Sequence, residues 1–165
     1  MNRISQIIKI IEKNPGIKFR EIMRETGLKN GVLSYHAKKL EESGSVKIER
    51  SVGETRFYPL CVTEQESVLI KSLRQDTPQR IVLSLINEQP LTFSEIVSKV
   101  RKSPSTISVF LNRLVDDNVV EIKIVELKRT YRLKNLDMTR EIIQKYNPIL
   151  LERTAYNLAD TLANL

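Results

Sequence analysis

Asn30, Val32, Ser34, Tyr35, Lys38 and Lys39 stand at spacings that place them on the outward side of one helix. Ser105, Thr106, Ser108, Val109, Asn112 and Arg113 do the same in a block 74 positions further on. These side chains are rich in hydrogen-bond donors and short of acid. Asn pairs bidentately with adenine, Ser and Thr serve either base, the Val methyls meet a thymine methyl, and Lys or Arg reaches guanine or phosphate. For each residue alone a solvated helix face is the plain alternative; the two sets together carry more than any member. Catalytic chemistry has little to work with. One His and one Cys, Cys61, exclude a Cys/His zinc cluster and an intrachain disulfide. No glycine-rich phosphate loop or nucleophile-base pair is evident either, so the sequence implies no enzyme, no cofactor and no metal.

A helix that offers such a face outward must bury its other side. Leu33, Ala37 and Leu40 form that inward stripe, repeated as Ile107, Leu111 and Leu114. The stripe belongs to a longer repeat: a shift of 74 residues lays Phe19-Arg20-Glu21-Ile22 on Phe93-Ser94-Glu95-Ile96 and Leu33 to Leu40 on Ile107 to Leu114 without a gap. Periodic apolar residues predict a first helix over 3 to 13, with Ile81, Val82, Leu85 and Ile86 as its copy. A second helix is predicted over about 19 to 26 and a third over about 30 to 43, the latter copied at 104 to 117. Thr92-x-x-Glu95 and Thr63-x-x-Glu66 are capping boxes, Lys18 lacks the capping hydroxyl of Thr92, and Ser103-Pro104 opens the copied third helix. Gly44 and Asn118 mark matching helix ends. Strands are predicted over 46 to 50 and 55 to 59, then 119 to 125 and 128 to 133. The best residue match in these hairpins sets Tyr58 on Tyr131, an offset of 73, which implies a one-residue deletion and a shorter second hairpin tip.

Three helices closed by a hairpin, twice over, give a mainly α fold with small β-hairpins (α+β). Leu28 to Gly44, with its Ser34-Tyr35-His36-Ala37-Lys38-Lys39-Leu40 core, resembles the recognition-helix signature of ArsR/MarR-type winged helix-turn-helix transcription regulators, and Ser103 to Ser108 is similar to its usual opening. The tandem layout resembles small archaeal regulators. The resemblance covers about 3 to 60 and 77 to 134. It implies two winged-helix domains, 1 to 60 and 77 to 134, separated by a linker helix in 61 to 76 and followed by a C-terminal helical segment, 135 to 165. It also implies a regulator that binds double-stranded DNA sequence-specifically, with the third helix of each unit in the major groove and the hairpins, or wings, on the backbone or minor groove. The residues expected at DNA are Lys29, Asn30, Val32, Ser34, Tyr35, His36, Lys38, Lys39, Arg50 and Arg56 in the first unit. In the second they are Lys102, Ser103, Ser105, Thr106, Ser108, Asn112, Arg113, Lys128 and Arg129. The clustered Cys, His and acidic residues of metal-sensing members are missing from the sequence, so metal sensing is not implied.

Charge agrees with a polyanionic partner. Residues 1 to 60 carry 12 Lys/Arg against 7 Asp/Glu and residues 77 to 134 carry 10 against 6, whereas the two remaining segments are each net negative by one. Nucleic acid leads the partners such charge attracts, ahead of an anionic membrane surface. With no apolar stretch near 18 residues and no secretory leader, a cytoplasmic protein that does not span a membrane is expected. Leu151, Ala155, Leu158, Leu162 and Leu165 follow the 4,3,4,3 spacing of a helical seam. Packing back on the chain and homodimerisation through 149 to 165 both fit it. The rival to DNA binding is a winged-helix protein-interaction module of a transcription or scaffolding assembly. The first unit is expected to bind DNA more tightly, on its larger charge and longer wing.

Overall fold

The computed structural model describes residues 2–146, and the chain divides into two compact units, Met1–Ser67 and Val68–Leu165. The first unit contains α1 (Arg3–Lys13), β1 (Ile17–Lys18), α2 (Phe19–Thr26), α3 (Asn30–Glu42), β2 (Val46–Ser51) and β3 (Glu54–Pro59). The boundary falls inside α4 (Glu64–Leu73). The second contains α5 (Asp76–Asn87), β4 (Leu91–Thr92), α6 (Phe93–Val100), α7 (Pro104–Asp116), β5 (Val120–Val125), β6 (Lys128–Leu133) and α8 (Leu136–Lys145). The C-terminal seam from Leu151 to Leu165 lies outside the described residues.

The predicted helices are present because their apolar periods and end signals agree. In the first unit Ile7 and Ile11 of α1, Ile22 of α2 and Leu33, Ala37 and Leu40 of α3 pack with Ile17, Val46 and Phe57 into one buried cluster. Ile81, Val82, Leu85, Ile96, Ile107, Leu111 and Leu114 are the buried counterparts in the second. Each of these side chains other than Ala37 contributes about 1.5–3 kcal/mol on leaving water, and the sum fixes which face of α3 and α7 turns outward. The capping boxes form as the sequence implies: Thr92 Oγ1 accepts from the Glu95 amide at 3.3 Å, and Thr63 Oγ1 from the Glu66 amide at 3.1 Å. Lys18 offers no such acceptor, but half of its box survives, since Glu21 accepts the Lys18 amide at 3.1 Å.

Each unit holds a three-stranded antiparallel sheet, ordered β1-β3-β2 and β4-β6-β5. The third strands, β1 and β4, are two residues long and too short to leave a periodic signature. They set the register: Ile17 faces Phe57 as Leu91 faces Tyr131. Phe57 and Tyr131 are 74 apart, so the offset is 74 through the hairpins and the expected deletion is not there. Both hairpins pair six residues with six and turn through two, Val52-Gly53 and Glu126-Leu127. The second wing is as long as the first. Residue identity favours Tyr58 on Tyr131, but strand period 2 makes a one-residue slip turn every side chain over; Tyr58 and Thr130 are buried as well as Phe57 and Tyr131, and the pairing of Phe57 with Ile17 and of Tyr131 with Leu91 decides the matter.

The same offset sets Leu127 on Gly53, and both adopt left-handed backbone, φ 65° and 80° respectively; Glu126 does so too, at 50°. The Gly44/Asn118 pair behaves alike, φ 70° and 60°, as its position at the helix ends requires. A left-handed leucine costs about 1–2 kcal/mol, and a glycine gives back part of that as chain entropy. Leu127→Gly is therefore expected to stabilise the second unit by about 0.5–1 kcal/mol, measured as a rise in urea midpoint. A fall would show that the turn is unstrained.

Candidate nucleic-acid interface

On α3 the buried stripe lies opposite an exposed face carrying Asn30, Ser34, Tyr35, Lys38 and Lys39, with Lys29 just before the helix; Val32 and His36 lie half-buried at the edges. Asn30 Oδ1 accepts from Ser34 Oγ at 3.1 Å. Tyr35, 60% exposed, has the Lys39 ammonium 5.7 Å from its ring centre and the His36 ring edge-on at 5.6 Å. One nitrogen of His36, Nδ1, is buried without a hydrogen-bond partner among the described residues. Glu42 reaches Lys38 at 3.9 Å and Lys39 at 4.0 Å, weak and exposed pairs that leave both ammonium groups in water. The carboxylate sits at the C-terminal end of α3, which leaves the N-terminal two-thirds of the face cationic and polar.

On α7 the equivalent face shows Ser105, Val109, Asn112 and Arg113, with Thr106 and Ser108 half-buried. Val109 is 56% exposed, and the Arg113 guanidinium lies 5.3 Å from the Phe110 ring centre. Ser103 caps the helix by accepting the Thr106 amide at 3.3 Å, so its hydroxyl has a structural role whatever else it touches. Lys102 leans on Asp76 at 3.4 Å. The positions match those of α3 but the chemistry does not: Tyr35 and Lys38 become Val109 and Asn112.

The wings differ more. Arg50 of β2 closes a two-pronged bond on Glu41 of α3, both prongs 2.8 Å. Those hydrogen bonds hold the Glu41 carboxyl below the usual carboxylate range and raise Arg50. Arg56, expected at DNA, is only 3% exposed. Its guanidinium donates to the Gly16 carbonyl at 2.9 Å and to Glu54 at 3.1–3.3 Å, so it is a core strut and not a surface contact. The charge that reads as basic in sequence is spent inside the unit. Lys47 likewise donates to the Val62 carbonyl at 2.6 Å, and Lys18 pairs with Glu54 at 3.3 Å. In the second wing Lys123, Lys128 and Arg129 are exposed and make no ion pair among the described residues, while Arg132 binds Glu121 and lowers that carboxyl. The first wing is thus neither longer than the second nor richer in unpaired cations, contrary to the expectation of a longer, tighter-binding first wing. Lys123 was missed in the sequence; its alternation with Ile122 and Ile124 was the available signal.

Glu54 also fixes an acid response. Burial raises its pKa, but the charges and hydrogen bonds of Arg56 and Lys18 outweigh burial and leave it lowered. A carboxyl whose pKa is lower folded than unfolded stabilises the fold above its unfolded value, about 4.3, and loses that contribution as pH falls through the folded value. Unit 1 should therefore lose urea resistance below pH of about 4, and Glu54→Gln should flatten that limb. An unchanged acid limb would remove Glu54 from the account.

Two comparisons bear on the assignment. Residues 2–70 match a family described as an N-terminal HTH domain, and residues 77–121 match the bacterial regulatory protein, arsR family. Each match falls on one copy of the helix-sheet unit described above. The chain is a tandem winged helix-turn-helix protein. Its fold is that of winged-helix transcription regulators. Among solved structures this tandem winged helix-turn-helix protein is similar to HlyU from Vibrio cholerae N16961, at 21% identity over 52% of this chain and 91% of that one, TM-score 0.44. It is similar also to the homodimeric winged helix-turn-helix domain of Mb0332 from Mycobacterium bovis, a possible ArsR-family regulator, at 21% identity over 55% and 84%, TM-score 0.45. A conserved hypothetical protein from Chlorobium tepidum matches over 88% of this chain and 98% of its own, at 15% identity and TM-score 0.31. No curated protein matches significantly. Among the described residues no helix is long and apolar enough to cross a membrane, and no group of three or more His, Cys, Asp or Glu is placed to hold a metal.

Proposed function

We propose that the protein is a sequence-specific double-stranded DNA-binding transcription regulator, acting in the cytoplasm and not as an enzyme. It sets α3 and α7 each in a major groove and its wings against backbone or minor groove. The observation that carries this reading is the repeated helix face: in both copies one stripe is buried while the opposite face carries mostly polar side chains and an exposed basic residue at the same position, Lys39 or Arg113. The domains that act are 1 to 60 and 77 to 134, with 61 to 76 joining them. Lys29, Asn30, Ser34, Tyr35, Lys38, Lys39, Ser105, Thr106, Ser108, Asn112 and Arg113 meet bases and phosphates. Val32 and His36 act at the edge of that face, Lys102 and Ser103 at its approach, Arg50 from the first wing, and Lys128 and Arg129 from the second.

Counterion release tests it directly. If each unit neutralises about four phosphates, log K falls with log salt at a slope near about −7, and at about half that when one unit engages. A slope near zero rejects DNA binding as the activity. The role of 149 to 165 is read separately: a solution mass of twice the chain assigns it to two-fold pairing, which presents four reading helices and selects palindromic sites, and a single-chain mass assigns it to packing within the chain.

A further inference from the structure

We propose that the second wing is a DNA-deforming element, with Leu127 acting as a wedge between base pairs in the minor groove. The inference rests on the DNA-binding reading above and adds to it a contact and a mechanical effect. Three observations converge on this hairpin. Leu127 stands at its tip, 98% exposed, in a left-handed conformation that Gly53 occupies without cost in the first copy. Glu126 beside it is left-handed as well. Strain held at an exposed apolar side chain contributes nothing to this fold, and such strain marks sites where the side chain meets something else.

The second observation is charge. Strand alternation puts Lys123 and Lys128 on one face of the hairpin and Arg129 on the other, and all three are exposed without an ion pair among the described residues. A tip with cations on both faces complements a groove walled by phosphates on both sides, and the minor groove, about 6 Å wide, admits a single hairpin tip. The third is the contrast with the first wing. There Val52 is also fully exposed, but Arg50 and Arg56 are committed to Glu41 and Glu54, so the first tip has the apolar side chain without free cations to seat it. Apolar side chains seated in this way unstack a base step and kink the duplex by about 20–90°. Flexible pyrimidine-purine steps are then preferred at a position the protein does not read by hydrogen bonds.

The experiment uses the full chain and a duplex obtained by selection from a random pool, carrying end-labelled fluorophores for bend measurement and, in a second set, 2-aminopurine placed successively along the site. Wild type is expected to shorten the end-to-end distance and to brighten 2-aminopurine at one step. Leu127→Gly should abolish both signals and weaken binding about five- to tenfold, although the variant is at least as stable, which separates a lost wedge from a lost fold. Lys128→Ala with Arg129→Ala should weaken binding and reduce the salt slope by about 2, and Val52→Gly should leave the bend intact. A bend that survives Leu127→Gly, or a bound duplex that stays straight, overturns the wedge while leaving DNA binding in place; absence of any salt-sensitive complex overturns the DNA-binding reading itself.

Discussion

Arg56→Met is expected to cost the first unit about 2–3 kcal/mol while leaving the salt dependence of DNA binding unchanged. The side chain is buried, and its guanidinium satisfies the Gly16 carbonyl and the Glu54 carboxylate. Methionine retains most of the volume and none of the donors, so the cost isolates the polar groups. Removing one member of a fully buried pair costs about 3–5 kcal/mol. Glu54 retains Lys18 at 3.3 Å and some water, which sets the lower figure. A unit of this length has about 3–10 kcal/mol in total, so the urea midpoint of the first unit should fall by about a fifth or more. Counterion release gives the second reading. Arg56 neutralises no phosphate in the folded protein, so log K should keep its slope against log salt. A stable variant whose slope drops by about 1 would return Arg56 to the DNA surface.

Arg56 also shows where the sequence stopped being readable. The helices were legible because each signal is local: Ile4, Ile7, Ile8 and Ile11 repeat within one helix, and Thr92 and Glu95 cap each other three residues apart. What was not legible depends on partners from other elements. Arg56 finds the Gly16 carbonyl 40 residues away, and Arg50 finds Glu41 across from strand to helix. Composition counts both arginines as free surface charge, and only the fold shows Arg56 buried and Arg50, still exposed, paired with Glu41. In the second copy the residues equivalent to Glu41 and Arg50 are Val115 and Ile124, so that ionic link is not repeated there. The net charges of the copies differ by one, yet the cations free to meet phosphate in the wings are distributed the other way. For the same reason the reading helices were found as a face but not as two different faces: the repeat directed attention to what Ser34 and Ser108 share, while Tyr35/Val109 and Lys38/Asn112 separate them.

The hairpin register supplies the other large effect. With an offset of 74, Phe57 and Tyr131 are equivalent, each facing the short third strand of its sheet and each buried. Tyr58 then corresponds to Arg132, which is exposed and paired with Glu121. Phe57→Ala and Tyr131→Ala should each destabilise their own unit by about 3–5 kcal/mol, the lost transfer energy plus the cavity left behind. Arg132→Ala should shift the midpoint little, as exposed ion pairs do. Hydrogen exchange followed peptide by peptide assigns each loss to its unit. Phe57 packs in the cluster that includes Leu33, Ala37 and Leu40, so Phe57→Ala should deprotect the amides of α3 along with those of β3, and specific DNA affinity should fall further than the phosphate contacts alone require. Under the offset of 73 suggested by residue identity, Tyr131 would be equivalent to Tyr58, and Phe57 would share its place with Thr130. Loss of protection in α3 on removal of a side chain that never touches DNA is the physical link between the sheet and the reading helix: the strand register decides which ring supports the buried stripe, and the stripe decides which residues face the groove.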